Sequence, residues 1–346
     1  MARGFLIYGA YGYTGELIAR QAVAQGLRPV LGGRNGERVA ALAKDLGLEA
    51  RVFPLDDPAA LDAGLEGMDL VIHCAGPFSQ TALAMAEGCL RTRTHYLDIT
   101  GEVDVFEALA AMDKRAVEAG VMLLPGGGFD VVPSDCLAAH LKAQLGTATK
   151  LLLAFQSTGH PSHGTTLTVL QSLFKGTTVR QNGVLTQVPA AWKTRSIDFG
   201  KGPKTAVTIT WGDVSTAFYS TAIPDIEVYM AASFGLRVFL HATRYLGPLL
   251  DAPPVLGLLR RHVDAGGPSD AERAAGFSLL WGQVTDDAGQ RAEARLRTPD
   301  GYSLTVLSAL LIARKVLEGN APPGFKTPSL AYGPDLVLEI EGVTRR

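Results

Sequence analysis

The sequence has few cysteines and almost no excess charge. Its three cysteines, Cys74, Cys89 and Cys136, are an odd set without metal-type spacing, which argues against a disulfide framework and predicts a reducing cytoplasm. The 32 basic and 34 acidic residues leave a formal net charge of -2. Such a chain has no general attraction for nucleic acid or for an anionic membrane, so a small-molecule substrate is the expected partner.

Long uninterrupted apolar runs are also missing. The apolar stretch near the amino terminus is too short for a signal peptide and leads directly into the first predicted strand. The longest apolar region, Val228 to Leu250, is helix-compatible but carries Arg237, His241 and Arg244 on one stripe, which excludes a membrane span. We interpret it as a core helix or a dimer interface. Alternatively, together with Val255 to Leu259, it forms a wall for a lipid-like substrate or a peripheral membrane contact.

Glycine is abundant, and three glycines follow the first apolar run at regular spacing. Phe5 to Tyr8 predicts a strand, and a helix-compatible sequence continues from Thr14 to Ala24. Between them, Gly9, Gly12 and Gly15 allow a phosphate to approach the backbone and the positive end of the helix closely. The stretch therefore predicts a pyrophosphate cradle, although three glycines alone are also compatible with a plain turn.

The residues after the second predicted strand, Arg28 to Leu31, favour NADP over NAD. In a dinucleotide-binding fold this strand ends at the adenosine ribose, where a carboxylate suits NAD and an arginine suits the 2′-phosphate of NADP. Arg34 holds this position, with Asn35 beside it and Arg38 one helical turn on. The nearest acid, Glu37, falls inside the next predicted helix. A solvated loop charge is the alternative interpretation of Arg34.

Strands and helices then alternate as far as residue 124, including one predicted helix over Val105 to Ala119. This alternation predicts a doubly wound parallel sheet with helices on both faces. Ligands bind at the carboxyl ends of such strands. The segments to inspect are therefore Asp56 with Asp57, Ala75 to Phe78, Asp98 to Glu102 and Gly126 to Asp135.

The second half of the chain predicts a mostly antiparallel sheet and carries no fingerprint of its own. Leu151 to Ser157, Ala206 to Trp211 and Phe277 to Val284 are strand-like, and Arg291 to Arg297 alternates as a strand with one buried face. His160 and His163 lack a nearby cysteine or carboxylate, so we expect no metal. His163 is instead a candidate proton donor, or a helix cap.

Six segments in order resemble the saccharopine dehydrogenase-like oxidoreductases, including their bacterial branch of trans-acting enoyl reductase-like proteins. They are GAYGYTG (9–15), GGRN (32–35), CAGPF (74–78), HYLDITGE (95–102), GGGFDVVPSD (126–135) and the tail formed by DGYSLTVLSALL (300–311) with GFKTPSLAYG (324–333). The resemblance implies a Rossmann-like NADP-binding domain and a second α+β domain that often mediates dimerisation. It also implies a nicotinamide near the AGPF, DITGE and GFD loops. Tyr11 departs from the family pattern, which often has a smaller residue there.

The resemblance and the length of 346 residues together predict two domains. We expect a Rossmann-like NADP-binding domain at 1–135 with a return segment at 304–346, and a substrate and dimerisation domain at 136–303. The predicted function is NADPH-dependent hydride transfer to a C=N or activated C=C bond of a small or lipid-like substrate, by a homodimer. The alternative is a non-catalytic NADP-binding regulator or a lipid-associated scaffold. A short-chain dehydrogenase would need a tyrosine with lysine four residues on, and none of the nine tyrosines has one.

The candidate cofactor-binding residues lie in the glycine turn, after the second strand and in the later loops: Gly9, Tyr11, Gly12, Tyr13, Thr14, Gly15, Arg34, Asn35, Arg38, Asp56, Ala75, Gly76, Pro77, Phe78, Gly127 and Phe129. For the proton we favour Asp130, since Ser134 and Asp135 suit the capping of the next helix better. The other pocket candidates are Tyr96, Thr100, Glu102 and His163. A carboxyl group donates a proton near neutral pH only if burial raises its pKa.

Overall fold

The computed structural model describes residues 4–158, 176–250 and 266–346, which divide into two compact units. The first unit comprises residues 4–132 and 302–340, and the second comprises the described part of 133–301 together with 341–346. Each unit has its own sheet. His160, His163 and Val255 to Leu259 lie outside the described residues.

Among the described residues, seven strands form the sheet of the first unit. Numbered along the chain, they are β1 (Phe5–Tyr8), β2 (Val30–Gly33), β3 (Ala50–Val52), β4 (Leu70–His73), β5 (His95–Asp98), β6 (Met122–Leu124) and β15 (Gly324–Phe325). Their order is β15-β6-β5-β4-β1-β2-β3, and every pair is parallel. In the centre, Ile7 pairs with Leu31 and Ile72, and all three are fully buried. Short, wholly apolar strands of this kind are typical of a parallel sheet that is covered on both faces.

Helices connect these strands. They are α1 (Tyr13–Ala24), α2 (Gly36–Leu46), α3 (Pro58–Leu65), α4 (Phe78–Thr92), α5 (Val103–Ala110) and α6 (Asp113–Ala119) and, near the carboxyl terminus, α11 (Gly301–Leu317), α12 (Pro328–Tyr332) and a 3-10 turn (Leu336–Glu339). One buried face of α11 carries Leu304, Ala309 and Ile312.

The second unit contains a mixed sheet of nine strands among the described residues. They are β7 (Lys150–Ser157), β8 (Thr177–Gln181), β9 (Val184–Val188), β10 (Thr194–Asp198), β11 (Pro203–Ile209), β12 (Asp225–Ala231), β13 (Phe277–Thr285), β14 (Arg291–Pro299) and β16 (Thr344–Arg345). The main order is β10-β11-β12-β7-β13-β14-β16; β12 and β7 are parallel, and the other pairs are antiparallel. Its helices are α7 (Val132–Gln144), α8 (Asp213–Thr221), α9 (Phe234–Leu250) and α10 (Asp270–Ala275). The predicted fold class, a parallel α/β sheet with a second, mostly antiparallel α+β domain, is confirmed.

The predicted single helix over Val105 to Ala119 is wrong, because the chain forms α5 and α6 with a break at residues 111–112. The reason is a long-range contact. Asp113 opens α6, and its carboxylate accepts a hydrogen bond of 2.8 Å from the backbone amide of Phe325 in β15. Local periodicity holds no information about a partner 212 residues away.

The prediction of a continuous helix from Val228 is also wrong for its first residues. Val228 to Ala231 belong to β12, in which Tyr229 pairs with Ala154 of β7. Pairing within the sheet overrides helix propensity here, since both Val228 and Tyr229 become buried. The helix α9 begins only at Phe234.

The first turns of α9 do not form a helix buried in the core. Leu240 is buried and packs with Ala191 and Val207, but Phe234 and Val238 are 74% and 53% exposed. Across the described part of the chain, we find no helix with the length and apolar character needed to cross a bilayer.

Candidate cofactor and active site

At two of its glycines, the turn after β1 has no room for a side chain. Gly9 adopts a left-handed φ of 81°, and a Cβ atom on it would lie 2.8 Å from the backbone nitrogen of Ala75. A Cβ on Gly15 would overlap the carbonyl oxygen of Gly9. Gly12 precedes α1, which Tyr13 and Thr14 open, and within the described residues no side chain caps this helix end. The first amides of α1 and its positive end therefore suit a phosphate.

Tyr11 rests on the end of β2. A Cβ on Gly33 would lie 2.6 Å from Cε1 of Tyr11, so glycine allows the ring to pack there. The Arg38 guanidinium carbon is 4.6 Å from the Tyr11 ring centroid, and the same side chain donates a hydrogen bond of 3.1 Å to the Tyr11 carbonyl oxygen. Asn35 caps α2 by accepting from the Arg38 amide, whereas Arg34 is exposed. The larger residue at position 11 thus links the glycine turn to the basic end of β2.

The two acids after β3 have different surroundings. Asp57 caps α3, because its Oδ1 accepts hydrogen bonds of 3.0 and 3.1 Å from two amides of the first turn. Asp56 is exposed and lies outside this cap. Burial, with smaller contributions from Tyr11 and Asp56, raises the pKa of the Tyr8 hydroxyl to about 12, while Arg34 opposes this rise. Asp56 and Arg34 are therefore both close enough to Tyr8 to affect the pKa of its hydroxyl group.

A buried histidine supports the loop after β4. His73 is fully buried, its Nε2 lies 2.9 Å from Oγ1 of Thr81, and the Thr81 hydroxyl donates a hydrogen bond of 2.6 Å to the carbonyl oxygen of Ala75. Burial lowers the pKa of His73 to about 3, so the ring is neutral. Because the Thr81 proton goes to Ala75, Nε2 of His73 is the donor. The loop continues through Gly76 and Pro77 into α4.

The carboxylate of Glu102 caps α4. Its Oε1 accepts a hydrogen bond of 2.8 Å from the amide of Phe78, and its Oε2 accepts one of 2.9 Å from the amide of Ser79. A negative charge is favourable at this helix end. Oγ1 of Thr100 in turn accepts a hydrogen bond of 3.0 Å from the amide of Glu102. Glu102 thus joins the loop after β5 to the loop after β4.

Asp98 is a buried carboxylate at the end of β5 with three donors around it. It accepts hydrogen bonds from the hydroxyl of Tyr96 (2.6 Å), the amide of Thr100 (2.9 Å) and the amide of Gly126 (2.8 Å). Tyr96, Asp98 and Thr100 are all fully buried. The structure therefore places Tyr96 and Thr100 in a network that supports the loops, away from the protein surface.

Burial raises the pKa of Asp98 from 3.8 to about 6, and its hydrogen bonds from Tyr96, Thr100 and Gly126 oppose this rise. Between pH 4 and 6 the folded protein binds more protons at Asp98 than the unfolded chain, so this group makes the protein less stable as pH rises. Relative to Asp98→Asn, we expect the wild type to lose up to about 3 kcal/mol of unfolding free energy between pH 4 and 7. Urea unfolding of both proteins across this range measures the difference. A constant difference would contradict the prediction.

The loop after β6 is held by β5 and by α11. The amide of Gly127 donates a hydrogen bond of 2.7 Å to the carbonyl oxygen of Asp98, and the Ser308 hydroxyl donates one of 2.7 Å to the carbonyl oxygen of Gly127. The amide of Phe129 donates one of 2.9 Å to Oγ1 of Thr305. The two sequence segments of the first unit, 4–132 and 302–340, thus meet at this loop.

Asp130, which follows this loop, lies against the turn after β5. It is partly buried, and a Cβ on Gly101 would lie 2.6 Å from its Cγ and would overlap Oδ2. The structure thus brings Asp130 close to the segment that holds Thr100 and Glu102. Asp98 begins one of the segments that the sequence marks for inspection, but neither Asp98 nor His73 is predicted as a site residue. A polar side chain at the end of an otherwise apolar strand is the signal that marks both.

Part of the first unit is similar to a known family of domains. Residues 5–124 match the family described as saccharopine dehydrogenase NADP binding domain. Trans-acting enoyl reductases of Mycobacterium leprae and Mycobacterium tuberculosis are 33% and 30% identical to the chain over 138 residues, which are 38% of this chain and 33% of theirs. The matched region therefore spans only 33% of the length of these relatives.

A solved structure shares the fold of the whole chain. The apo saccharopine dehydrogenase (L-Glu forming) of Saccharomyces cerevisiae covers 99% of both chains with a TM-score of 0.68, at 14% sequence identity. At this identity the likeness shows the fold alone. Over residues 5–124, the first unit is thus similar to the NADP-binding domain of saccharopine dehydrogenases.

Proposed function

We propose that the protein is an NADPH-dependent reductase that transfers hydride to an activated C=C or a C=N bond of a small or lipid-like substrate. The observation that carries this proposal is the match to an NADP-binding domain over residues whose turn after β1 leaves no room for a side chain at Gly9 and Gly15. The bound nicotinamide supplies the hydride. The chain binds and orients the cofactor and provides the proton.

The cofactor-binding roles follow from the local surroundings. The turn of Gly9, Gly12 and Gly15, with the start of α1, would hold the pyrophosphate. Arg34 would bind the 2′-phosphate, and Arg38, packed on Tyr11, would offer its guanidinium plane to the adenine, with Asp56 at the adenine edge. The loops over 75–78 and 127–129 would line the nicotinamide side. We also include Tyr13 and Thr14, which open α1 after the glycine turn, and Asn35, which follows Arg34, among the cofactor-binding residues.

For the proton we propose Asp130. Tyr96 and Thr100 are fully buried, and both carboxylate oxygens of Glu102 already accept hydrogen bonds from backbone amides. Asp130 is partly buried and lies beside these loops. Its carboxyl group is therefore the best placed of the described candidates, and His163 remains a sequence-based prediction.

Replacing Arg34 tests the cofactor preference. Arg34→Ala is expected to weaken NADPH binding about ten-fold, because it removes a cation from the 2′-phosphate, and to leave NADH binding unchanged. Fluorescence titration with each cofactor measures both dissociation constants. Arg291→Ala, which changes an exposed arginine of the second unit, is the control. Equal losses for NADPH and NADH would show that Arg34 does not select the phosphate.

The reaction is tested by mixing the wild type with NADPH and a panel of enoyl thioesters, imines and ketones, and following the loss of NADPH absorbance. The name of the mycobacterial relatives, enoyl reductase, favours the C=C bond. Turnover of an enoyl or imine compound supports the proposal. NADPH binding without turnover across the whole panel would favour the alternative, a non-catalytic NADP-binding regulator. A protein that does not bind NADPH would contradict both the reductase and the NADP-binding regulator.

The exposed apolar side chains of α9 favour a lipid-like substrate or a lipid-associated role. Phe234, Leu236, Val238 and Phe239 are all exposed large hydrophobic residues within the first two turns. Such a cluster is unusual on a solvated surface and marks an interaction site. Flotation with phosphatidylcholine liposomes tests whether this surface binds lipid. Protein that does not float with the liposomes would contradict the lipid-associated role. A homodimer, the substrate role of the second unit and a cytoplasmic location also remain predictions.

A further inference from the structure

The turn after β5 lacks a side chain at the point where Asp130 approaches it. A Cβ on Gly101 would lie 2.6 Å from Cγ and 3.3 Å from Cβ of Asp130, and would overlap Oδ2. The φ angle of Gly101 lies outside the left-handed region. The backbone conformation therefore does not demand glycine here, and the close approach of the carboxylate is what requires it.

The same turn is tied to the segment that precedes Asp130. Asp98 accepts hydrogen bonds from the amide of Thr100 on one side and from the amide of Gly126 on the other. Its own carbonyl oxygen accepts from the amide of Gly127. Beyond the pairing of β5 with β6, Asp98 thus ties the turn after β5 to the loop after β6 through its side chain and its backbone.

The residue before Asp130 is fixed from the opposite side. Oγ1 of Thr305 in α11 accepts a hydrogen bond of 2.9 Å from the amide of Phe129. A Cβ on Gly128 would lie 2.9 Å from Cγ2 of the same threonine, so α11 packs directly on this loop. Because Phe129 is held by α11 and Gly126 by Asp98, the backbone leading to Asp130 has little freedom to move.

We propose that Gly101 and Asp98 are positioning residues for the carboxylate of Asp130. Gly101 leaves the space that the carboxylate occupies, and Asp98 holds the two loops at the distance that this space requires. The inference rests on the proposed function only for the role of Asp130 as proton donor. The placement itself follows from contacts within the first unit.

The placement is tested without substrate by carbon-13 NMR of protein labelled at the aspartate carboxyl carbons. Asp130→Asn identifies the Asp130 resonance by its disappearance. In Gly101→Ala we expect this resonance to move by more than its linewidth, because the new methyl group displaces the carboxylate. Gly146→Ala is the matched control, since a Cβ there meets no described atom within 4 Å, and it should leave the resonance in place.

Asp98→Ala is the second variant, should Gly101→Ala not fold. It is expected to move the Asp130 resonance as well, because it removes Oδ1, the oxygen that accepts from the amides of both Thr100 and Gly126. An Asp130 resonance that stays in place in both folded variants would overturn the proposal. Should Gly101→Ala not fold, an unmoved resonance in Asp98→Ala alone would overturn it.

Kinetics separate positioning from a general loss of structure. With the substrate found in the NADPH panel, Gly101→Ala should lower kcat about ten-fold and leave the NADPH dissociation constant unchanged. Combined with Asp130→Asn, it should cause no loss beyond that of Asp130→Asn alone. If the kcat losses of the two single variants multiply in the double variant, the positioning role would be overturned. If Asp130→Asn leaves turnover intact, the proton-donor assignment fails, while the NMR result still decides the placement.

Discussion

Asp130→Asn is expected to lower kcat about 100-fold or more, because proton transfer by a positioned side chain typically contributes about 10²–10⁴ to the rate. Asparagine has the shape of aspartate but has no acidic proton to release. The residue lies beside the turn after β5 and next to the loop of Gly127 and Phe129. The loss should therefore appear in kcat, while the dissociation constant of NADPH remains that of the wild type. Steady-state kinetics and NADPH titration measure the two quantities separately.

Asp104→Asn is the matched control for this substitution. Asp104 is an exposed acid in the first turn of α5, so the same chemical change occurs in the same unit. It should leave kcat unchanged. An Asp130 variant with wild-type kcat would remove the residue from the reaction. A variant that fails only in NADPH binding would assign it to the cofactor instead.

Gly15→Ala is expected to weaken NADPH binding about 100-fold, a loss of about 2.7 kcal/mol. Its Cβ would overlap the carbonyl oxygen of Gly9 and lie 3.0 Å from Cα of Ala10. Both neighbours are backbone atoms, so no side-chain rotation relieves the overlap, and the start of α1 must move away from β1. The amides that we propose for the pyrophosphate would move with it.

Thermal unfolding with and without NADPH measures this loss. A ligand that binds the folded state raises its stability, so NADPH should raise the Tm of the wild type and, at the same concentration, raise that of Gly15→Ala much less. Gly146→Ala, where a Cβ meets no described neighbour within 4 Å, should keep the NADPH-dependent rise. A Gly15 variant that NADPH still stabilises fully would contradict the prediction that this turn holds the cofactor.

The architecture of the first unit was predictable because it depends on local pattern. Apolar runs such as Phe5–Tyr8 and Leu70–His73 alternate with helices, and this alternation requires a parallel sheet with right-handed connections. The predictions of secondary structure are wrong where a contact with a distant part of the chain determines the local structure. Asp113 opens a separate helix because it binds the amide of Phe325, and Val228 joins a strand because β7 lies beside it.

The candidate site divides in the same way. The sequence indicated which loops meet, because the carboxyl ends of parallel strands share one edge of the sheet. It did not indicate the role of each polar side chain within those loops. Glu102 was a pocket candidate, yet its carboxylate caps α4, and Tyr96 donates to the buried Asp98. Both roles depend on partners that come from other loops.

By itself, the sequence determined the glycine turn, the basic residues after β2 and the alternation that builds the nucleotide-binding sheet, because these are properties of neighbouring residues. Only the tertiary structure decided that Asp98 joins two loops, that His73 supports a third and that Gly101 makes space for Asp130. Hydrogen bonds and close contacts between distant segments require coordinates, since residue type and spacing do not record which donor reaches which acceptor.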